Sequence, residues 1–241
     1  MRRNGTGTRG AVRRLLAATA APALAPTAPA PAGSPAPPAP PADAPTVLAI
    51  MTDDVGFAAS STFGGGIPTP ALDRLAANGL VYNTFNTTAI CSATRAALLT
   101  GRNHHAVGFG TVSDLARPEP GYNSIIPQSA GSIARILADA GYDTAMLGKH
   151  HNVPTWQSGP LGPFGQWPTG LGFGYFYGSN GGFTAQFAPQ LVENTRMIEP
   201  PQAGDGTEAG YTLDRDMADH AISWLRLQQA QHPGAPFLLY Y

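Results

Sequence analysis

The sequence has almost no lysine, a single cysteine and no long apolar run. One cysteine, Cys91, excludes an intrachain disulfide framework whatever the compartment. No apolar stretch approaches the ~18 residues that a membrane-spanning helix requires. Charged residues are also scarce, at 12% of the 241 positions. They are unevenly placed: five of the fourteen basic residues, but only Asp43 of the fifteen acidic ones, fall within the first 45 positions. The remainder therefore carries nine basic and fourteen acidic groups, a balance that argues against a nucleic-acid surface.

What is abundant at the start is arginine, alanine and proline. Five arginines by position 14 lead into "LLAATAAPALA", and ten prolines follow between Pro22 and Pro45. A basic segment, a weak apolar core and small residues have the form of an export signal. The Pro/Ala-rich stretch is then a disordered tether that buries no core. The alternative is a low-complexity N-terminus with no targeting role. The export reading places the protein in the periplasm or outside the cell; without a functional signal it is cytoplasmic.

From position 46 the pattern alternates. "TVLAIM" (46–51) is almost wholly apolar, as in a strand covered on both faces of a parallel sheet. "TPALDRLAANG" predicts a helix with Thr69 as N-cap, Pro70 in its first turn and Gly79 as its stop. A short helix is expected over 94–100. Another is expected in "SAGSIARILADAGY", with Ile133, Ile136 and Leu137 on its apolar face. "YDTAML" follows as a strand, and "GKHHNVP" as the loop that closes it. Residues 156–182, rich in Gly, Pro and aromatics, read as irregular surface with one strand at "FGYFY". A long helix capped by Thr212 and a buried strand, "PFLLYY", complete the series. Strands alternating with helices imply an α/β sandwich with a mainly parallel sheet flanked by helices.

In such sheets ligands bind beyond the carboxyl ends of the strands. Asp53 and Asp54 follow the first strand, while Lys149, His150 and His151 follow a later one, so both groups belong on one rim. Adjacent aspartates suit a hard cation with oxygen ligands; alternatively Asp54 caps a turn and Asp53 is solvated. Cys91, at the start of a helix with Arg95 one turn on, is placed to stabilise a thiolate or a tetrahedral anion. The alternative is a buried, inert thiol. Three residues separate Cys91 from Arg95, too few for a tyrosine-phosphatase loop. Lys149 is the only lysine among fourteen basic residues, and a compact ammonium suits a point contact to an anion oxygen. Chance remains the other explanation. The pairs His104/His105 and His150/His151 lack the spacing of a zinc site, so one histidine of each pair is expected in function and the other packed or solvated.

Together, "TVLAIMTDDVGF", "ICSATRAALLTGR" and "SIARILADAGYDTAMLGKHH" resemble the sulfatases, specifically the bacterial arylsulfatase type. The Cys-x-(Pro/Ala)-x-Arg core followed by Leu-Thr-Gly-Arg is a specific signature, and the likeness runs through the whole of 46–241. The resemblance implies an alkaline-phosphatase-like fold and hydrolysis of small-molecule sulfate esters. It implies that a maturation enzyme oxidises Cys91 to Cα-formylglycine, whose hydrate attacks sulfur with one hydroxyl and expels sulfate by deprotonation of the other. By the same resemblance, Arg95 holds the hydrate, and Lys149 and His151 contact sulfate. Asp53, Asp54 and the modified Cys91 are then metal ligands, for Ca²⁺ in preference to Mg²⁺. His150 receives no role.

Ala93 and Thr94 replace the commoner Pro and Ser of the modification signature, and Asn86 stands where relatives often carry His. Family members are also much longer. The residues present leave a calcium ion well short of its usual ~6–8 oxygen ligands, so residues 46–241 are expected to be the N-terminal portion of a catalytic domain. The alternatives are a phosphonate or phosphate monoester hydrolase of the same superfamily, or a catalytically incomplete fragment.

Overall fold

The computed structural model describes residues 39–41, 43–201 and 210–241. The signal-like segment and most of the Pro/Ala-rich stretch lie outside those residues. The described residues form a six-stranded sheet: β1 (Val47–Ala49), β2 (Asp143–Lys149), β3 (Tyr175–Ser179), β4 (Leu191–Glu193), β5 (Arg196–Ile198) and β6 (Phe237–Tyr240), in the spatial order β1-β6-β2-β3-β4-β5. The first four neighbours run parallel, while β3-β4-β5 is antiparallel. The mainly parallel α/β architecture expected from the alternation is therefore present.

Both faces of the central strands are covered, which is why β2 reads as an uninterrupted buried run. Successive side chains alternate between the faces. Met146, Phe176 and Leu238 pack with α2 (Cys91–Thr100) and α3 (Ile133–Asp139) through Ala93, Ala96, Leu99 and Ala134. Ala145, Leu147, Tyr177 and Leu239 pack on the opposite face against Leu213, Met217 and Ala221 of α4 (Leu213–Gln231).

Several expectations need correction. β1 is an edge strand, flanked among the described residues only by β6, and it is not covered on both faces: Leu48, and Ile50 just beyond it, are 55% and 54% exposed. α1 (Pro70–Asn78) has its expected ends but buries none of its residues. Thr69 makes no side-chain cap, and its backbone N–H donates instead to Ser61 Oγ at 2.9 Å. α2 starts at Cys91, three residues earlier than expected. In α3 the small Ala134 and Leu137 face the core, while Ile133 and Ile136 are exposed. Residues 156–182 hold the expected strand, β3, and are only in part surface: Trp156 and Leu161 are exposed, but Trp167, Leu171 and Phe173 are buried beside β3. The β4–β5 hairpin was not foreseen; its strands are three residues each, and Asn194 takes a positive φ of 55° in its turn.

Candidate active site

Five expected residues, Asp53, Cys91, Arg95, Lys149 and His151, converge where β2 ends and α2 begins. Arg95 is buried one turn into α2, and its Nη2 donates to Asp53 Oδ2 at 2.8 Å. Lys149 Nζ, from the last residue of β2, reaches the same oxygen at 2.7 Å. Arg95 also donates from Nη1 to the Lys149 carbonyl, and it reaches Tyr240 Oη of β6 at 3.4 Å. Partial burial pushes the Asp53 carboxyl up, but Lys149 and Arg95 outweigh that and hold it below its ordinary range. The residues after β1 and after β2 thus share one rim, as the parallel topology requires.

Cys91 is the first residue of α2, preceded by the extended Ile90, and no side chain caps the helix. Its Sγ lies 3.1 Å from His151 Nδ1. His151 takes a φ of 54°, a strained conformation for a non-glycine residue. Burial holds its imidazole below the ordinary range, against the opposing pull of the Asp114 carboxylate.

Two residues that place His151 were not singled out by sequence reasoning. Ser92 Oγ donates to the His151 carbonyl and accepts from Ser113 N–H at 3.2 Å, while the Ser92 carbonyl accepts from Asn152 Nδ2 at 2.9 Å. This one buried serine ties α2 to the loop after β2 and to the 113 turn. Asp114 Oδ2 lies 3.0 Å from His151 Nε2. It belongs to a three-residue turn of 3₁₀ helix, with no motif spacing to mark it.

His150 separates cleanly from His151. It is fully buried, its Nε2 is 2.9 Å from the Gln166 carbonyl, and its ring meets the edge of Phe176. Burial pushes it down to about 4, so it is a neutral core residue. Of the other pair, His104 Nδ1 pairs with the Phe109 carbonyl at 2.7 Å, and His105 is exposed, standing edge-on to Tyr122.

A hard cation finds only part of a site. Asp54 is exposed, at a φ of 52°, and makes no hydrogen bond to the other site residues among those described. One oxygen of Asp53 is already taken by two cationic side chains. Among the described residues no three His, Cys, Asp or Glu side chains are grouped to hold a metal. The carboxylates suit calcium in kind, but these residues alone do not make its shell.

The sulfatase family model matches residues 45–241. An arylsulfatase of Klebsiella aerogenes is 32% identical over 207 residues, covering 82% of this chain and 42% of its own. Arylsulfatase A of Bos taurus is 32% identical over 225 residues, covering 83% of this chain and 41% of its own. Among solved structures, Ps i-CgsB superposes with a TM-score of 0.61 at 23% identity, over 81% of this chain and 44% of that one. The chain thus spans about two fifths of the length of these relatives.

Proposed function

Because this chain belongs to the sulfatase family, we propose that its site serves the arylsulfatase-type hydrolysis of sulfate esters, with Cys91 in use as formylglycine. The observation that carries this reading is the convergence on Cys91: His151 Nδ1 lies against its Sγ at 3.1 Å, with Arg95 one helical turn on. In place of the thiol, a hydrated aldehyde would supply one hydroxyl to attack sulfur, with the ester's alcohol leaving, and a second whose deprotonation releases sulfate and re-forms the aldehyde. His151, neutral and buried, is placed to accept a proton at the side chain of residue 91. Lys149, partly exposed on the rim, offers a point charge to a sulfate oxygen. Arg95, fixed by Asp53 and by the Lys149 carbonyl, adds positive charge beneath the same spot.

Asp53, Asp54 and the modified residue 91 are proposed as ligands of a calcium ion, whose shell they fill only in part. A formylglycine-generating maturation enzyme is the proposed partner, and the basic N-terminal segment the proposed export signal. No helix among the described residues is long and apolar enough to cross a membrane.

Mass spectrometry of the tryptic peptide 75–95 from protein made in its native host tests the nucleophile. We expect the thiol of Cys91 to be replaced by an aldehyde despite Ala93; an unmodified cysteine throughout would overturn the reading. Parallel assays of sulfate and phosphonate esters with one leaving group should favour the sulfate.

A further inference from the structure

We propose that Asp114 is a positioning residue that fixes the tautomer of His151, so that Nδ1 faces residue 91 with a free lone pair. This rests on the sulfatase reading only for its catalytic consequence; the geometry stands by itself. An ionised carboxylate can only accept hydrogen bonds. With Asp114 Oδ2 at 3.0 Å from Nε2, the ring proton belongs on Nε2. A neutral imidazole carries one such proton, so Nδ1 is left bare, 3.1 Å from Cys91 Sγ.

The opposite tautomer would put a hydrogen between Nδ1 and residue 91 and leave two acceptors, Nε2 and Asp114, facing each other. His151 would then be a donor and could not take a proton from residue 91. Two further contacts keep the ring in place. Ser92 holds the His151 carbonyl, and Gly182 lies so close to the ring that a methyl there would collide with Nε2 and Cε1. Neither contact discriminates between the ring nitrogens. Asp114 does so, through its contact with Nε2.

Asp114 is exposed, so its replacement is not expected to unfold the chain. Two readouts test the proposal. The first is ¹⁵N NMR of the histidine rings of the full chain, with His151 assigned by its absence in His151→Gln. The wild type should show Nε2 protonated and Nδ1 bare, and Asp114→Ala should show mixed tautomers. The second is turnover of 4-nitrophenyl sulfate by the formylglycine-bearing protein. There Asp114→Ala should lose roughly 10–100-fold in kcat with KM little changed. Asp114→Asn, whose amide can donate to Nε2 as readily as accept from it, should not recover that loss, whereas Asp114→Glu, which keeps the carboxylate, should recover part of it.

An unaltered tautomer in Asp114→Ala would overturn the proposal. So would an unaltered kcat in an otherwise active enzyme. Absence of turnover in the wild type would count against the sulfatase reading, while the NMR arm would still decide the role of Asp114.

Discussion

Arg95 and Asp53, 42 positions apart, meet through Nη2 and Oδ2 at 2.8 Å, with the arginine side chain 5% exposed and the aspartate 30% exposed. The asymmetry matters. A buried guanidinium depends on its partner more than a half-solvated carboxylate does, because water already serves the carboxylate. Asp53→Ala should therefore destabilise the chain by about 1–3 kcal/mol, the partial exposure keeping it below the range for a fully buried pair. Urea unfolding measures this. A midpoint equal to the wild type would mean that Lys149 and Tyr240 leave Arg95 satisfied without Asp53.

His150 gives stability an acid dependence of known sign. Its imidazole ordinarily titrates near 6.5, and burial lowers it to about 4 in the fold. Between those values the unfolded chain binds a proton that the folded chain does not. Stability from this group is complete above 6.5 and is lost as the pH falls towards 4, with a slope approaching ~1.4 kcal/mol per pH unit. His150→Gln keeps a donor for the Gln166 carbonyl and cannot titrate. Its unfolding free energy should be flatter across that window, and a slope equal to the wild type would assign the acid sensitivity elsewhere.

The residues that the sequence marks and those it hides differ in a physical way. Asp53, Cys91, Arg95, Lys149 and His151 sit in short motifs, and the parallel topology brings the ends of the motifs together. Asp114 and Ser92 act through contacts 37 and 59 positions away, which no local spacing encodes. The packing errors share one cause. A periodic pattern shows which residues are apolar, not how closely elements approach. In α3 the small Ala134 faces the sheet while two isoleucines turn outward, and apolar β1 remains an edge because nothing in the described chain covers it.

Ser92→Ala should reach the site without touching the reacting atoms. The hydroxyl it removes leaves the His151 carbonyl and the Ser113 N–H unpaired in the interior, at about 1–3 kcal/mol for such buried groups. The turn carrying Asp114 would lose its bond to α2, and the loop carrying His151 would keep only the Asn152 bond to the Ser92 carbonyl. We expect a lower unfolding midpoint together with a lower kcat. A variant that loses stability but keeps full turnover would show that the tie supports the fold and not the site.

Calcium added to this chain should bind weakly. Lys149 and Arg95 already neutralise Asp53, and Asp54 stands apart and solvated, so the ion would gain few oxygens and meet two nearby positive charges. Isothermal titration at low ionic strength should give no tight one-to-one event. Stoichiometric binding would mean that Asp54 and Asp53 Oδ1 rearrange to build a site with residue 91.

Exchange of the lone lysine tests whether its compact charge matters. Lys149 Nζ meets Asp53 at 2.7 Å, on an oxygen that the Arg95 guanidinium also occupies. A second guanidinium there would need room for a planar fork and would compete with Arg95 for the same lone pairs. Lys149→Arg should therefore behave like Lys149→Ala in turnover of an aryl sulfate, each losing roughly 10²–10³-fold in kcat, as for removal of one charge-stabilising donor. The fold of both should be intact by circular dichroism. If arginine restores more than a tenth of the wild-type rate, the site reads positive charge alone, and the single lysine of this chain carries no geometric demand.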